Sequence, residues 1–189
     1  MKIMTHLEQG SKEWLEFRRN HVGASDAGTI LGFNPYAKYD DLMEEKIYGT
    51  TKPMNDNMRN GQLMEPEARL AYEIHSGYSV EPLVAEDDLY PFLSASFDGV
   101  TEDLSHGVEI KCGKQSHGLA KNGKIPPYYV AQLQHQMMNA NWKQMHYWSY
   151  RDGEGILIIV DRNDEFISGM LDKEIAFWNS VTQFTDPGG

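Results

Sequence analysis

The patterning of the chain changes character at Gly77, and that change limits the possible folds more than any other feature. Before it, apolar residues recur at helical spacing; after it come short apolar and aromatic runs bounded by turn residues. Residues 11–20 read as a short helix with Ser11 as N-cap and Trp14, Leu15 and Phe17 on its apolar side. Residues 25–31 read as another, with Ser25 as cap, Asp26 in the first turn and Gly32 as the stop. Asn34-Pro35 is a turn, and residues 39–48 form an amphipathic helix ending at Gly49. A longer helical stretch covers residues 55–76, interrupted by Gly61 and Pro66. Residues 78–84, 90–97 and 108–112 then read as three strands. Pro126-Pro127 opens a helix to residue 140, since proline is tolerated in a first turn. Residues 144–151 and 155–162 are strands joined by Asp152-Gly153-Glu154-Gly155, a strong hairpin signal, and residues 164–181 close the chain as a helix. This order predicts a mixed α/β fold, a small central sheet flanked by helices.

One strand carries chemistry. Residues 108–112 are bounded by Gly107 and Gly113, and alternation puts Glu109 and Lys111 on one face, with Val108, Ile110 and Cys112 on the other. Asp98 lies upstream in what reads as a Phe-Asp-Gly turn after an apolar run. Two such carboxylates can hold a divalent cation through hard oxygen ligands, and a lysine one pleat along can orient or deprotonate a bound water. Gly99 and Gly107 allow close approach of backbone and substrate. The triplet alone reads as a salt-bridged pair on a solvated strand face, because Glu-x-Lys recurs by chance in most proteins.

The chain has 189 residues, 40% hydrophobic and 24% charged, which suits one domain with a sizeable core. The expected organisation is a single unit over residues 1–189, a helical part to about residue 77 and a sheet-centred core over about 78–182. No window reaches the apolar length of a membrane span, and residues 1–8 lack a signal peptide's apolar stretch. A single cysteine, Cys112, excludes internal disulfides and a cysteine-ligated cluster, pointing to a reducing compartment. The net charge of −11 argues against a protein that coats itself with nucleic acid, but permits basic groups gathered in one cleft. The seven histidines show no close metal-ligand spacing, and His117, His135 and His146 read as loop or face residues. The aromatic stretch 142–150 reads as a core strand, Glu86-Asp87-Asp88 as a solvated loop, and 114–124 as a Gly-rich loop. Its Lys114, Lys121 and Lys124 serve either a phosphate backbone or solubility.

Six motifs in order bear on the choice between site and surface pair. They are Trp14-x-x-x-Arg18 followed by Ala24-Ser25; residues 31–36, LGFNPY; 61–68, GQLMEPEA; 94–99, SASFDG; 108–112, VEIKC; and 129–134, YVAQLQ. Together the chain resembles the phage lambda exonuclease or YqaJ-like viral recombinase family of the PD-(D/E)XK nuclease superfamily, from about residue 14 to 172. Ser96-Phe97 stands where the superfamily motif usually has proline before Asp98.

The resemblance implies an enzyme, a 5′-to-3′ exonuclease of duplex DNA that starts from an end and uses Mg2+, with Mn2+ as a substitute. It makes Asp98 and Glu109 metal ligands with the Ile110 carbonyl, gives Lys111 the attacking water, and completes a second metal position with Glu65, Glu67 being the runner-up. Arg18, Ser25, Ser96 and Gln132 match positions that cradle a 5′-phosphate, and Arg18 offers the planar fork such a group needs. Met58 falls where relatives place an apolar wedge that parts the first base pairs, or else faces the core. The implied product is a 3′ single-stranded overhang for phage-type recombination. The implied working form is a ring-shaped homotrimer threading double-stranded DNA beside a single-strand annealing protein, in a bacterial cytoplasm and with no membrane. Rival readings are a structure-specific or restriction-like endonuclease and a catalytically silent DNA-end-binding module. Relatives with an iron–sulfur cluster need four ligands that one cysteine does not supply.

Overall fold

Helix α1 (Lys12–Arg19) starts where its signals place it, the Ser11 hydroxyl accepting the Trp14 amide at 3.1 Å. The computed structural model describes residues 1–50 and 55–185, leaving aside the side chains of residues 57 and 58. Met58, the expected wedge, therefore lies outside the described side chains.

The second helix differs from expectation. Ser25 does not cap it; it lies inside a 3-10 turn (Ala24–Asp26) that runs into the short α2 (Ala27–Ile30). Asp26, the last residue of that turn, closes it by accepting the Gly23 amide at 2.9 Å while the buried Lys46 ammonium sits 2.7 Å away. A carboxylate aimed by a buried cation is a stronger acceptor than a serine hydroxyl. Helix α3 (Tyr39–Tyr48) ends at Gly49 in the left-handed region, φ +71°. Helix α4 (Asp56–Ser76) runs through both Gly61 and Pro66 as one element.

The strands are β1 (Lys2–Ile3), β2 (Val22–Gly23), β3 (Glu81–Glu86), β4 (Leu93–Val100), β5 (Gly107–Lys111), β6 (Gln144–Arg151) and β7 (Glu154–Asp161). They form one mixed sheet in the order β1-β3-β4-β5-β6-β7, with β2 pairing β4. The β2–β4 and β5–β6 pairs are parallel, the others antiparallel. Strands β1 and β2 are each two residues long, too short to carry an alternation pattern. The hairpin turn is Asp152-Gly153, both at positive φ, as a two-residue primed turn requires. Residues 114–124 are not all loop: helix α5 (Lys114–Ala120) occupies most of that stretch. Helices α6 (Pro127–Ala140) and α7 (Asp164–Thr185) complete the chain.

Helix α6 lies against one face of the sheet, with Leu133 and Met137 packed on Ala95, Phe97, Met145 and Tyr147. Ala68 and Tyr72 of α4 pack with Val108, Ile110, Cys112 and Trp148 in a second cluster, so the apolar side of β5 faces α4. Strand β6 is buried along most of its length, as the aromatic stretch predicted.

Candidate active site

Asp98 sits in a strand, not in a turn. Leu83 of β3 pairs Phe97 and Glu81 pairs Val100, so three steps along β4 match two along β3. This is a β-bulge at Asp98 and Gly99, and it lets Phe97 and Val100 both enter the α6-side core. A bulge breaks strict alternation and re-aims the side chain it contains. The β4–β5 ladder has only two pairs, Gly99 with Val108 and Val100 with Gly107. Asp98 reaches across beside it, Oδ2 accepting the Ile110 amide at 2.8 Å. Glycine is required here on steric grounds. A Cβ on Gly99 would stand 2.6 Å from Val80, and one on Gly107 would stand 2.2 Å from the Trp142 ring.

Glu109 is only 1% exposed. Gln132 and Gln136, one turn apart on α6, donate to its two oxygens at 2.6 Å each, and the Lys111 ammonium joins Oε1. Lys111 also lies 4.8 Å from the centre of the Tyr129 ring. From α4, Glu65 accepts Arg69 Nη2 at 2.5 Å, while Arg69 Nε donates to the Asp98 carbonyl at 3.0 Å. Arg69 thus satisfies the carbonyl at the bulge and ties Glu65 to it. Glu67 instead accepts the Tyr150 hydroxyl at 2.6 Å, so it is Glu65 that joins Asp98.

The charges explain the proton positions. Burial, then the negative charges of Glu109 and Glu65, push the Asp98 carboxyl well above the usual carboxylate range against the pull of Lys111. Burial disfavours the charged form of Lys111, but Glu109 and Asp98 outweigh it and keep the ammonium protonated. Burial also pushes the Cys112 thiol up to about 11, so it is no nucleophile at neutral pH. Among the described residues, no group of three histidine, cysteine or carboxylate side chains is already assembled to hold a metal ion. Lys111, Gln132, Gln136 and Arg69 occupy the carboxylate oxygens instead.

Arg18, Ser25 and Ser96 form a second group. Arg18 Nη2 donates to Ser25 Oγ at 3.0 Å and its guanidinium lies 4.7 Å from the Trp14 ring centre. Trp14 Nε1 donates to Ser96 Oγ at 3.0 Å. Lys46 holds the cluster from behind, donating to the Arg18 carbonyl at 2.8 Å. Gln132 is not among this group; its amide belongs to Glu109. The two groups meet through Gln136, which also donates to the Ser96 carbonyl at 3.1 Å.

Other expected placements change. His117, His135 and His146 are all buried and hydrogen-bonded, to Ser149, Glu174 and Tyr72 respectively. Asp87 is buried and takes the Leu89 and Tyr90 amides, while Glu86 pairs Lys2 and His21. Lys121 pairs Glu154 at 2.6 Å. A surface hollow lined by Tyr78, Thr101, Glu102, Asp103 and Ser105 contains none of the clustered residues. Sequence reasoning missed Arg69, Gln136, Lys46 and Tyr129 as members of the site. The first two stand one helical turn beyond residues it did name, Glu65 and Gln132, and that spacing was the available signal.

A model of the YqaJ-like viral recombinase domain matches residues 13–143. The uncharacterized protein YqaJ of Bacillus subtilis (strain 168) is 26% identical over 186 residues, 94% of this chain and 58% of that protein. The chain therefore spans little more than half the length of that curated relative. An alkaline exonuclease from Laribacter hongkongensis has a similar structure, with a TM-score of 0.78 and 26% identity over 92% of this chain and 93% of that one. Its complex with dAMP gives 0.79 with the same identity and coverage. A phage-related exonuclease from Haemophilus somnus 129PT shares the fold at 14% identity, TM-score 0.67, over 89% of this chain and 96% of that one.

Proposed function

We infer that this chain, which belongs to the YqaJ-like viral recombinase domain family, is a metal-dependent exonuclease that degrades duplex DNA from 5′ ends. It leaves 3′ single-stranded overhangs for phage-type recombination. The observation that carries the reading is Asp98 reaching from a bulge to the Ile110 amide between Glu109 and Lys111, with Glu65 tied to the Asp98 carbonyl through Arg69. The likeness to the alkaline exonuclease supports the reaction class.

The donor set fits a hard divalent cation. Burial, and then the negative charges of Glu109 and Glu65, raise the Asp98 carboxyl well above the usual carboxylate range, a cost a bound cation would relieve, and oxygen is the donor that Mg2+ or Mn2+ prefers. Asp98, Glu109, Glu65 and the Ile110 carbonyl would hold it, with Lys111 and Arg69 giving up the carboxylates they now occupy. When bound, the ion supplies an activated water and neutralises charge on the scissile phosphate. The chain's own residues do the rest. Gln132 and Gln136 fix Glu109, Arg69 fixes Glu65 against the bulge, and Lys111, held protonated, orients the nucleophile and stabilises developing negative charge.

Arg18, Ser25 and Ser96 suit the terminal 5′-phosphate, and the aromatic face of Trp14 helps hold the planar guanidinium in place. Gln132 acts through Glu109 in this arrangement. The working form in this reading is a homotrimer ring on double-stranded DNA, acting with a single-strand annealing protein.

The deciding experiment offers end-labelled linear duplex and covalently closed circular duplex, each with and without magnesium. Digestion of the linear form alone, only with magnesium, is the expected result. Rapid cutting of closed circles would establish an endonuclease instead, and no metal-dependent cleavage of either would leave a silent end-binding module.

A further inference from the structure

Tyr36 is 66% exposed, yet its loop between α2 and α3 is firmly tied. The Phe33 and Asn34 amides donate to the Gly28 carbonyl at 2.8 and 3.1 Å, and Asn34 Nδ2 donates to Thr29 Oγ1 at 3.0 Å. The Tyr36 amide donates to Asn34 Oδ1 at 2.9 Å, and its hydroxyl to Gln115 Oε1 on α5 at 2.5 Å. Gly28 itself lies so close to α6 that an added Cβ would stand 2.6 Å from Tyr128 Cβ. The ring is therefore held at both ends while its face stays open to solvent.

That ring begins a short aromatic path. It meets Tyr128 edge-on, centroids 6.1 Å apart at 88°, and Tyr128 lies 4.4 Å from Tyr129. Tyr129 in turn lies 4.8 Å from the Lys111 ammonium that sits on Glu109. Perpendicular rings make a corner, not a closed stack, so Tyr36 keeps a flat face free for another planar group. A chain with net charge −11 draws little long-range attraction from a phosphate backbone, which leaves more of the binding to uncharged contacts. Every nucleobase offers a π-face of the right kind.

We propose that Tyr36, Tyr128 and Tyr129 form a platform for an unpaired nucleobase, within a few nucleotides of the phosphate that reacts at Asp98, Glu109 and Lys111. The proposal rests on the DNA-nuclease reading above. Tyr36 is the stacking face, and Tyr128 and Tyr129 set its distance from the reacting centre.

The test uses the full chain and 5′-phosphorylated duplex carrying a fluorescent adenine analogue whose emission falls on stacking. The analogue is placed in turn at the first, second and third nucleotides from the 5′ end, with calcium in place of magnesium. Wild type and Tyr36→Phe should quench it at one of these positions. Tyr36→Ala should lose the quench and bind the end about five- to a hundredfold more weakly, the range for one base–aromatic stack. End binding with no quench at any position, or with a quench that survives Tyr36→Ala, overturns the platform alone. If wild type with magnesium fails to cleave linear duplex, the nuclease reading falls and the platform falls with it.

Discussion

Helix α6 touches two buried carboxylates, Glu109 of β5 and Glu174 of α7, and they live in different company. Both are essentially fully buried, and both are paired with a base. Glu174 accepts His135 Nδ1 at 2.8 Å, while His135 Nε2 donates to the Ser94 carbonyl at 3.0 Å. Burial works against charge on that imidazole, but Glu174 outweighs it and raises its affinity for the proton. One acid meets one base, and the charges cancel. Around Glu109 the company is larger: Lys111 pairs with Glu109 and Arg69 with Glu65, while Asp98 beside them has no cation of its own among the described residues. Burial, then Glu109 and Glu65, raise its carboxyl well above the usual carboxylate range. Burial and ion pairing are common to structural and functional carboxylates. A third carboxyl with no cation of its own, beside a Lys111 partly open to solvent, marks the site.

Substitutions at the two acids should separate these roles most sharply. Glu109→Gln should abolish magnesium-dependent digestion while the denaturation midpoint stays near that of wild type. Glu174→Ala should leave His135 buried without its partner and cost about 3–5 kcal/mol of stability. Its activity per folded molecule should persist. Urea melts and initial rates on linear duplex check both; a folded but inactive Glu174→Ala, or an active Glu109→Gln, would erase the distinction.

A smaller effect sharpens the contrast between the metal-ligand candidates and the arginine cluster. Hydrogen bonds to charged groups contribute about 1.5–3 kcal/mol. Arg18→Ala should therefore reduce the preference for 5′-phosphorylated over 5′-hydroxyl ends by about ten- to a hundredfold. Slow cleavage of hydroxyl ends should survive, since Asp98, Glu109 and Lys111 are untouched. Initial rates on both end types at one fixed salt concentration test this, because backbone contacts vary with salt. Unchanged preference would return Arg18 to the surface.

The smallest effect concerns the α4 side of β6, where His146 accepts or donates at the Tyr72 hydroxyl, 2.9 Å away, and stacks edge-on with His106. Burial, and then the neighbouring His106, hold His146 down at about 4 from the ordinary 6.5. A depressed folded-state value means the stability is present above pH 6.5 and lost as pH falls toward 4. Between pH 8 and pH 5 the loss should be about 2 kcal/mol. His135 is shifted the opposite way, so its contribution is greatest at low pH and fades as pH rises. Comparing urea melts of wild type and His146→Asn at the two pH values isolates His146. Identical pH profiles for the two proteins would show that His146 does not titrate in this window.

Much of this was present in local sequence. Ser11, Gly49, Pro127 and Asp152-Gly153 each act through neighbours a few residues away, so their caps, stops and turn formed as expected. Glu109 and Lys111 share a face because alternation along one strand requires it. Several expectations that failed involve distant partners. Ser25 lies inside a 3-10 turn instead of capping a helix, and Asp26, held by Lys46 from another helix, closes that turn on Gly23. The three histidines are interior because helices and strands far apart in sequence supply their hydrogen bonds.

By itself, then, the sequence determined the kinds and order of elements, the acid-base pair on β5 and the membership of the family. Periodicity, turn chemistry and short motifs are local, and they survive without knowledge of the fold. Only tertiary structure decided that Asp98 sits in a bulge, since a bulge exists only against its partner strand β3. Tertiary structure also assigned Gln132 and Gln136 to Glu109, and Arg69 to both Glu65 and the Asp98 carbonyl. Those contacts depend on where whole helices come to rest on the sheet. That placement is fixed by burying apolar faces, and the polar residues at the seams acquire their partners as a consequence.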